Sequence, residues 1–194
     1  MSGSSGGEFE NRPSPKSREA SGVDNVRDRL PVQKAMGAAL KILAARSCSE
    51  GELREKLIAK GWAEPEVVER CIERLKDLNY VNDDAFAHSY ARYRVSLKPL
   101  GRARVSRELI ARKVSRNRID KALDVVFGEV AEESLLDQAI ERRIRTHGRP
   151  GDRAAAKRMF DHLARLGFEY DLISRKLREV KSQEPGCEIE IDVD

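Results

Sequence analysis

"LIAKGWAEPEVVERCI", Leu57 to Ile72, reads as a helix end, a tight turn and a new helix start. Leu57 and Ile58 lead into Lys60-Gly61, and Gly is the residue wanted where a helix closes in a left-handed cap. Pro65 suits a first helical turn, and Val68, Cys71 and Ile72 then recur at three-and-four spacing. The same design returns as "LIARKVSRNRIDKAL" from Leu109 and as "LARLGFEYDLISRKL" from Leu163. In each copy one large apolar residue, Trp62, Val114 or Phe168, follows the turn and is expected to plug it. One further helical pattern lies upstream of each, which makes the unit a three-helix repeat of about fifty residues.

Periodicity outside the turns agrees. Met36, Ala39, Leu40 and Leu43 form one apolar stripe, Leu75 extends the stripe of Val68, and Ile119, Ala122, Leu123, Val126 and Phe127 form another. The third copy repeats this with Leu136, Ala139 and Ile140, with Ala156, Met159, Phe160 and Leu163, and with Ile173, Leu177 and Val180. Ser49 with Glu52 has the spacing of a capping box, Ser115 and Asp152 are expected N-caps, and Gly61 and Gly167 stand at C-caps. The fold class is therefore all-α: tandem three-helix, helix-turn-helix-like repeats in an elongated arrangement. Such a shape offers a long surface and little depth for a catalytic pocket.

The boundaries follow from composition. Residues 1–30, rich in Ser, Gly, Pro and charge, are expected to be disordered, and the first few are as compatible with an expression scar as with native sequence. The repeats occupy 31–81, 82–129 and 130–181, and an acidic tail, 182–194, carries Glu184, Glu188, Glu190, Asp192 and Asp194. That tail reads as solvated; the rival reading has it fold back on a basic surface and compete with an anionic ligand. The chain is 40% hydrophobic and 36% charged, with a net charge of +4. No apolar run is long enough for a membrane span or a signal-peptide core, so no membrane partner and a cytoplasmic location are expected. Cys48, Cys71 and Cys187 are odd in number and lack C-x-x-C spacing, which points to reduced thiols.

Across the boundary of the first two repeats runs "NYVNDDAFAHSYARYR", Asn79 to Arg94. Asn82-Asp83-Asp84 is a helix start, since short side-chain oxygens accept from the first free N–H groups and acid favours the N-terminus. Phe86, Tyr90 and Tyr93 fall at i, i+4 and i+7, on one face; with Ala87 and Ala91 beside them they read as core rather than as a base-stacking platform.

This stretch, followed by "GRARVSRELIARK", preceded by "ALKILAARSCSEGELREKLIAKG" and succeeded by "AAKRMFDHLARLGFEYDLI", resembles the RecX family of regulators of the bacterial RecA recombinase, over about Ala38 to Val180. The resemblance implies tandem three-helix modules that bind RecA within the groove of the RecA–DNA filament and limit its activities. One departure stands out: members of that family usually have Lys-Gly or similar in the second turn, where this chain has Arg112-Lys113. A non-Gly residue in a left-handed cap costs about 1 kcal/mol, so this turn is either strained or differently shaped.

Charge is lopsided. From Arg92 to Lys121 eleven basic residues face only Glu108 and Asp120, a larger excess than that of the whole chain. A solvated helix face ordinarily mixes signs, so this surface points to an anionic partner, either DNA phosphates, single- or double-stranded, or an acidic strip of the recombinase. The residues expected to meet DNA or the filament are Arg102, Arg104, Arg107, Arg112, Lys113, Arg116 and Arg118; Arg104 and Arg107 face away from the core positions Val105 and Leu109. The first repeat is acidic, with Glu50, Glu52, Glu55, Glu64, Glu66, Glu69, Glu73 and Asp77; plain solvation or a basic strip on the recombinase are the two readings of that surface.

No P-loop pattern occurs, and "HGRPGD" reads as a linker. His88, His147 and His162 lack metal-ligand spacing. The expectation is a monomeric binding protein that is not an enzyme, with no cofactor and no metal. Two rivals stay open: a free-standing DNA-binding protein, because "SEGELREKL" with its following turn and helix has a helix-turn-helix cast, and a structural adaptor with no nucleic-acid role.

Overall fold

The computed structural model describes residues 26–61 and 64–182, and among them places nine helices and no strand. Helices α1 (Val26–Ala45), α2 (Glu50–Ala59) and α3 (Pro65–Asp77) make the first module. The second contains α4 (Asp83–Leu97), α5 (Arg102–Ala111) and α6 (Arg116–Glu129), and the third α7 (Glu132–His147), α8 (Arg153–Leu166) and α9 (Tyr170–Ser182). The chain is all-α and built of tandem three-helix units, as the repeat implies. No helix among the described residues is long and apolar enough to cross a membrane. Trp62, Cys187, the segment up to Asn25 and the acidic tail from Gln183 lie outside the described residues. Helix α1 starts at Val26, inside the segment read as unstructured, because the helix runs out ahead of its first packed residues, Val32 and Ala35.

Local signals set the helix ends. Ser49 Oγ accepts from the Glu52 N–H at 3.1 Å, Asn82 from the Ala85 N–H at 3.0 Å and Asp152 from the Ala155 N–H at 2.5 Å. The capping box is only half made: the Glu52 carboxylate is turned to Arg46 at 3.2 Å and Arg112 at 3.4 Å. Each module turns its second helix into its third through a left-handed residue: Gly61 at φ 63°, Lys113 at φ 62° and Gly167 at φ 93°. Lys113 therefore adopts the conformation in which Gly is favoured. Val114 and Phe168, next in line, are buried plugs.

Two apolar cores result. Ala35, Ala39, Leu53, Leu57, Val68, Cys71, Ile72, Leu75 and Val81 fill the first module. The second core is continuous from Ala87 to Ile173, so the second and third modules share one interior. Burying a side chain such as Leu57 or Leu109 stabilises by about 1.5–3 kcal/mol, and truncating either to Ala costs about 2–5 kcal/mol. The stripe of α1 is turned slightly from its expected line: Ala35 and Ala39 are buried, whereas Leu40 is 36% exposed. On α4 the buried line is Ala87, Ala91 and Val95. Phe86 and Tyr90 flank it half-buried, their rings 6.0 Å apart, but Tyr93 is 60% exposed, since it stands beyond the cover that α5 gives Tyr90.

The two seams between modules follow one plan. At the first, the start of α2 docks on the α5–α6 turn: Ser49 Oγ donates to the Arg112 carbonyl, and Gly51 lies against Lys113 so closely that a Cβ on it would come within 3.0 Å of the Lys113 side chain and carbonyl. At the second, the start of α5 docks on the α8–α9 turn. Gly101 N–H donates to the Leu166 carbonyl at 3.0 Å, Ala103 N–H to the Gly167 carbonyl at 3.2 Å, and Arg102 N–H to Glu132 Oε1 at 2.9 Å. A side chain at Gly101 or Gly167 would drive the two backbones apart. In both seams the unpaired N–H groups of one module's helix meet acceptors of the next module.

Candidate functional site

Helix α5 buries Val105 and Leu109, which turns Arg104 and Arg107 outward. The seven expected contact residues surround this helix and its turn, but they have different surroundings. Arg112 and Lys113 point to the first module: the Arg112 guanidinium lies 4.6 Å over the Tyr90 ring and 3.4 Å from Glu52, while Lys113 Nζ is 3.3 Å from Glu55. Arg118 reaches back to Asp83 at 3.3 Å and Asp84 at 3.5 Å. Arg102 pairs with Asp124 at 2.6 Å, close to the seam with the third module.

Arg104, Arg107 and Arg116 stay on the outside. Arg104 makes an i,i+4 pair with Glu108 at 3.0 Å, and Arg116 a loose one with Asp120 at 3.7 Å. Arg107 contacts only the Ala103 carbonyl, at 3.3 Å, with no carboxylate partner among the described residues. The exposed Arg116–Asp120 pair is worth about 0.2–1 kcal/mol, and Arg107 has no carboxylate among the described residues to give up, so both are open to another anion. Arg104 shares the largely buried Glu108 with Arg94.

Two carboxylates organise the module, and the sequence did not single out either for this role. Glu108 takes Arg94 in a two-toothed grip at 2.7 and 3.0 Å, together with Arg104 and the Tyr90 hydroxyl at 3.1 Å. Burial pushes its pKa up, but the hydrogen bonds from Arg94, Arg104 and Tyr90 outweigh this and hold it below the ordinary value. Asp83, 6% exposed, accepts from the Glu50 N–H at 2.7 Å and from Arg118, and so joins the start of α2 to α4 and α6. The acidic face of the first module is likewise used internally: Glu50 and Glu69 hold Arg54, at 2.8 and 2.5 Å, and Lys76 bridges Glu50 and Glu73.

A second group of cations gathers around the basic end of α7, Arg142 to His147. Lys98 at the end of α4, Arg142, Arg143 and His147 on α7, and His162 on α8 line a cleft of about 210 Å³ between the second and third modules. Among the described residues no cluster of His, Cys, Asp and Glu has the makings of a metal site. Cys48 and Cys71 are free and buried, and burial pushes the Cys71 thiol up.

Comparison with known proteins places these modules. Residues 35–75 match the family profile described as "RecX, first three-helix domain", and residues 82–123 the one described as "RecX, second three-helix domain". The chain is 31% identical over 144 residues to the regulatory protein RecX of Pelodictyon phaeoclathratiforme, covering 74% of this chain and 87% of that protein. It is 29% identical over 158 residues to the regulatory protein RecX of Chlorobaculum tepidum, covering 81% and 95%. Among solved structures, RecX from Lactobacillus salivarius superposes with a TM-score of 0.69 at 21% identity, covering 79% of this chain and 99% of that one, a likeness of fold.

Proposed function

The chain belongs to the RecX family, and from that membership we propose that it binds the RecA recombinase and the RecA–DNA filament, lies in the filament groove, and restrains the ATPase, strand-exchange and coprotease activities. It acts as a monomer by occupancy, not by chemistry of its own. A bound regulator changes activity only through its different affinity for alternative filament states, and one that bridges subunits and fills a groove has such a difference.

The observation that carries this reading is the division of labour in the second module. Arg102, Arg112, Lys113 and Arg118 reach carboxylates at or near the seams, while Arg104, Arg107 and Arg116 are displayed on a helix pair whose interior is packed. Ile110, 45% exposed and one turn from Arg107, adds an apolar contact to that face. The outward arginines supply attraction to DNA phosphates or to acidic recombinase surface, and the seams hold the modules in register.

RecA ATPase turnover on single-stranded DNA, measured as this protein is added to saturation, tests the reading. A fall in turnover is expected, and unchanged turnover would contradict it. Mobility shift on DNA alone separates the free-standing DNA-binding alternative. Three outward arginines on duplex phosphates give a log affinity–log salt slope of about −3, with no sequence preference.

A further inference from the structure

We infer that the cleft between the second and third modules is a binding site for a phosphate group. Its walls are Lys98, Arg142, Arg143, His147 and His162, with Pro99, Ala139, Thr146 and Leu166 completing them, and no carboxylate among them. In the second module nearly every basic side chain near a seam has its acid. In this cleft none of the five cationic or protonatable groups has a carboxylate partner within 4.0 Å among the described residues; the one close polar contact between the walls joins two of them, Arg143 Nη1 and His147 Nε2, at 3.1 Å. A guanidinium only donates, so His147 Nε2 is the acceptor in that contact.

Helix ends explain part of the gathering. Lys98 caps α4 and His147 ends α7, where a helix offers about half a negative charge each. That is too little for the cluster as a whole, and Arg142, Arg143 and His162 lie before the last turns of their helices. The field at His162 is correspondingly positive: burial first, then Arg143, Arg165, Lys98 and His147, depress its pKa. Those neighbours come from every wall, namely Lys98 from the α4–α5 link, Arg143 and His147 from α7, and Arg165 from its own helix. Glu141 and Asp161, carboxylates on the same helices, are exposed and do not line the cleft.

A tetrahedral oxyanion answers this arrangement. Guanidinium forks match phosphate oxygens bidentately, lysine adds a point charge, and imidazoles donate once protonated. The size fits one phosphate, either free or presented by a nucleic-acid backbone. Binding then favours protonated His162 and weakens as pH rises through the titration of that ring.

The full-length chain, without recombinase, is titrated with inorganic phosphate and separately with a short oligothymidylate, at ionic strength held constant with chloride. The His162 and His147 ring protons are followed by NMR across pH. An upward shift of the His162 midpoint by about half a unit or more with either probe is expected. The double variant Arg142→Gln/Arg143→Gln should bind at least about tenfold more weakly, with unchanged far-UV circular dichroism, and Lys98→Gln should weaken binding to a smaller degree. Arg107→Gln/Arg116→Gln should leave the shift intact, which separates this site from the filament face. A response to the oligonucleotide alone assigns the cleft to backbone phosphodiesters, and a response to inorganic phosphate alone assigns it to a free anion. No midpoint shift with either probe, or the same shift when chloride replaces phosphate, would overturn the inference.

Discussion

Lys113, a left-handed residue, rests directly on Gly51, and the start of the first module's second helix can come this close only because position 51 has no side chain. Gly51→Ala is expected to force the seam open at a cost of about 1–3 kcal/mol. Amide exchange in α2 should accelerate while that of α7 to α9 stays slow. Equal protection in α2 would show that the contact does not hold the modules together.

The converse change relieves strain. Lys113→Gly removes a left-handed non-Gly residue, worth about 1 kcal/mol, and gives up only an exposed pair with Glu55, worth about 0.2–1 kcal/mol. A small net gain in the urea midpoint is expected. A loss above about 1 kcal/mol would mean that the Lys113 side chain contributes more to the seam than its exposure suggests.

Asp83 is the polar centre of the same seam. Asp83→Ala leaves the Glu50 N–H without its acceptor and Arg118 with Asp84 alone, at an expected cost of about 1–3 kcal/mol in urea unfolding. A change below about 0.5 kcal/mol would contradict its place as the link between α2, α4 and α6.

Acid should weaken the fold through Glu108. Its folded pKa lies below the ordinary 4.5, so its contribution is fully present above 4.5 and is lost as pH falls through the lowered value. Glu108→Gln is expected to destabilise by about 1–3 kcal/mol at neutral pH and to converge with the parent below pH 4.5. Glu132 has the opposite sign. Burial raises its pKa despite the Arg102 N–H bond, so its ionisation detracts from stability as pH rises through the folded value. Glu132→Gln, which keeps an acceptor, should gain at neutral pH. Parallel pH profiles for the two variants would contradict the assignment.

Much of this fold is legible in the sequence because its determinants are local. Ser49, Asn82 and Asp152 announce helix starts through a side-chain oxygen that accepts three residues on, and Gly61 and Gly167 announce ends through their conformational freedom. The anomalous Lys113 was legible as an anomaly; its resolution was not, because that depends on Gly51, which belongs to another module. The charges show the same divide. A run of bases between Arg92 and Lys121 implies an open anionic partner, yet Arg112 meets Glu52 and Arg118 meets Asp83 across long sequence separations. Periodicity fixes which face of a helix is apolar, but not which module docks on the other face. The cleft around His162 is still less visible, since its cations come from three elements.

The most direct test is co-sedimentation of this protein with RecA filaments preformed on single-stranded DNA, comparing the parent with Arg104→Glu/Arg107→Glu/Arg116→Glu. The parent should pellet with the filament, and the triple variant should lose affinity by about tenfold or more while its circular dichroism is unchanged. Equal pelleting of the folded triple variant, or no pelleting of the parent, would contradict the claim that an outward basic face on a rigid helical module holds the regulator in the filament.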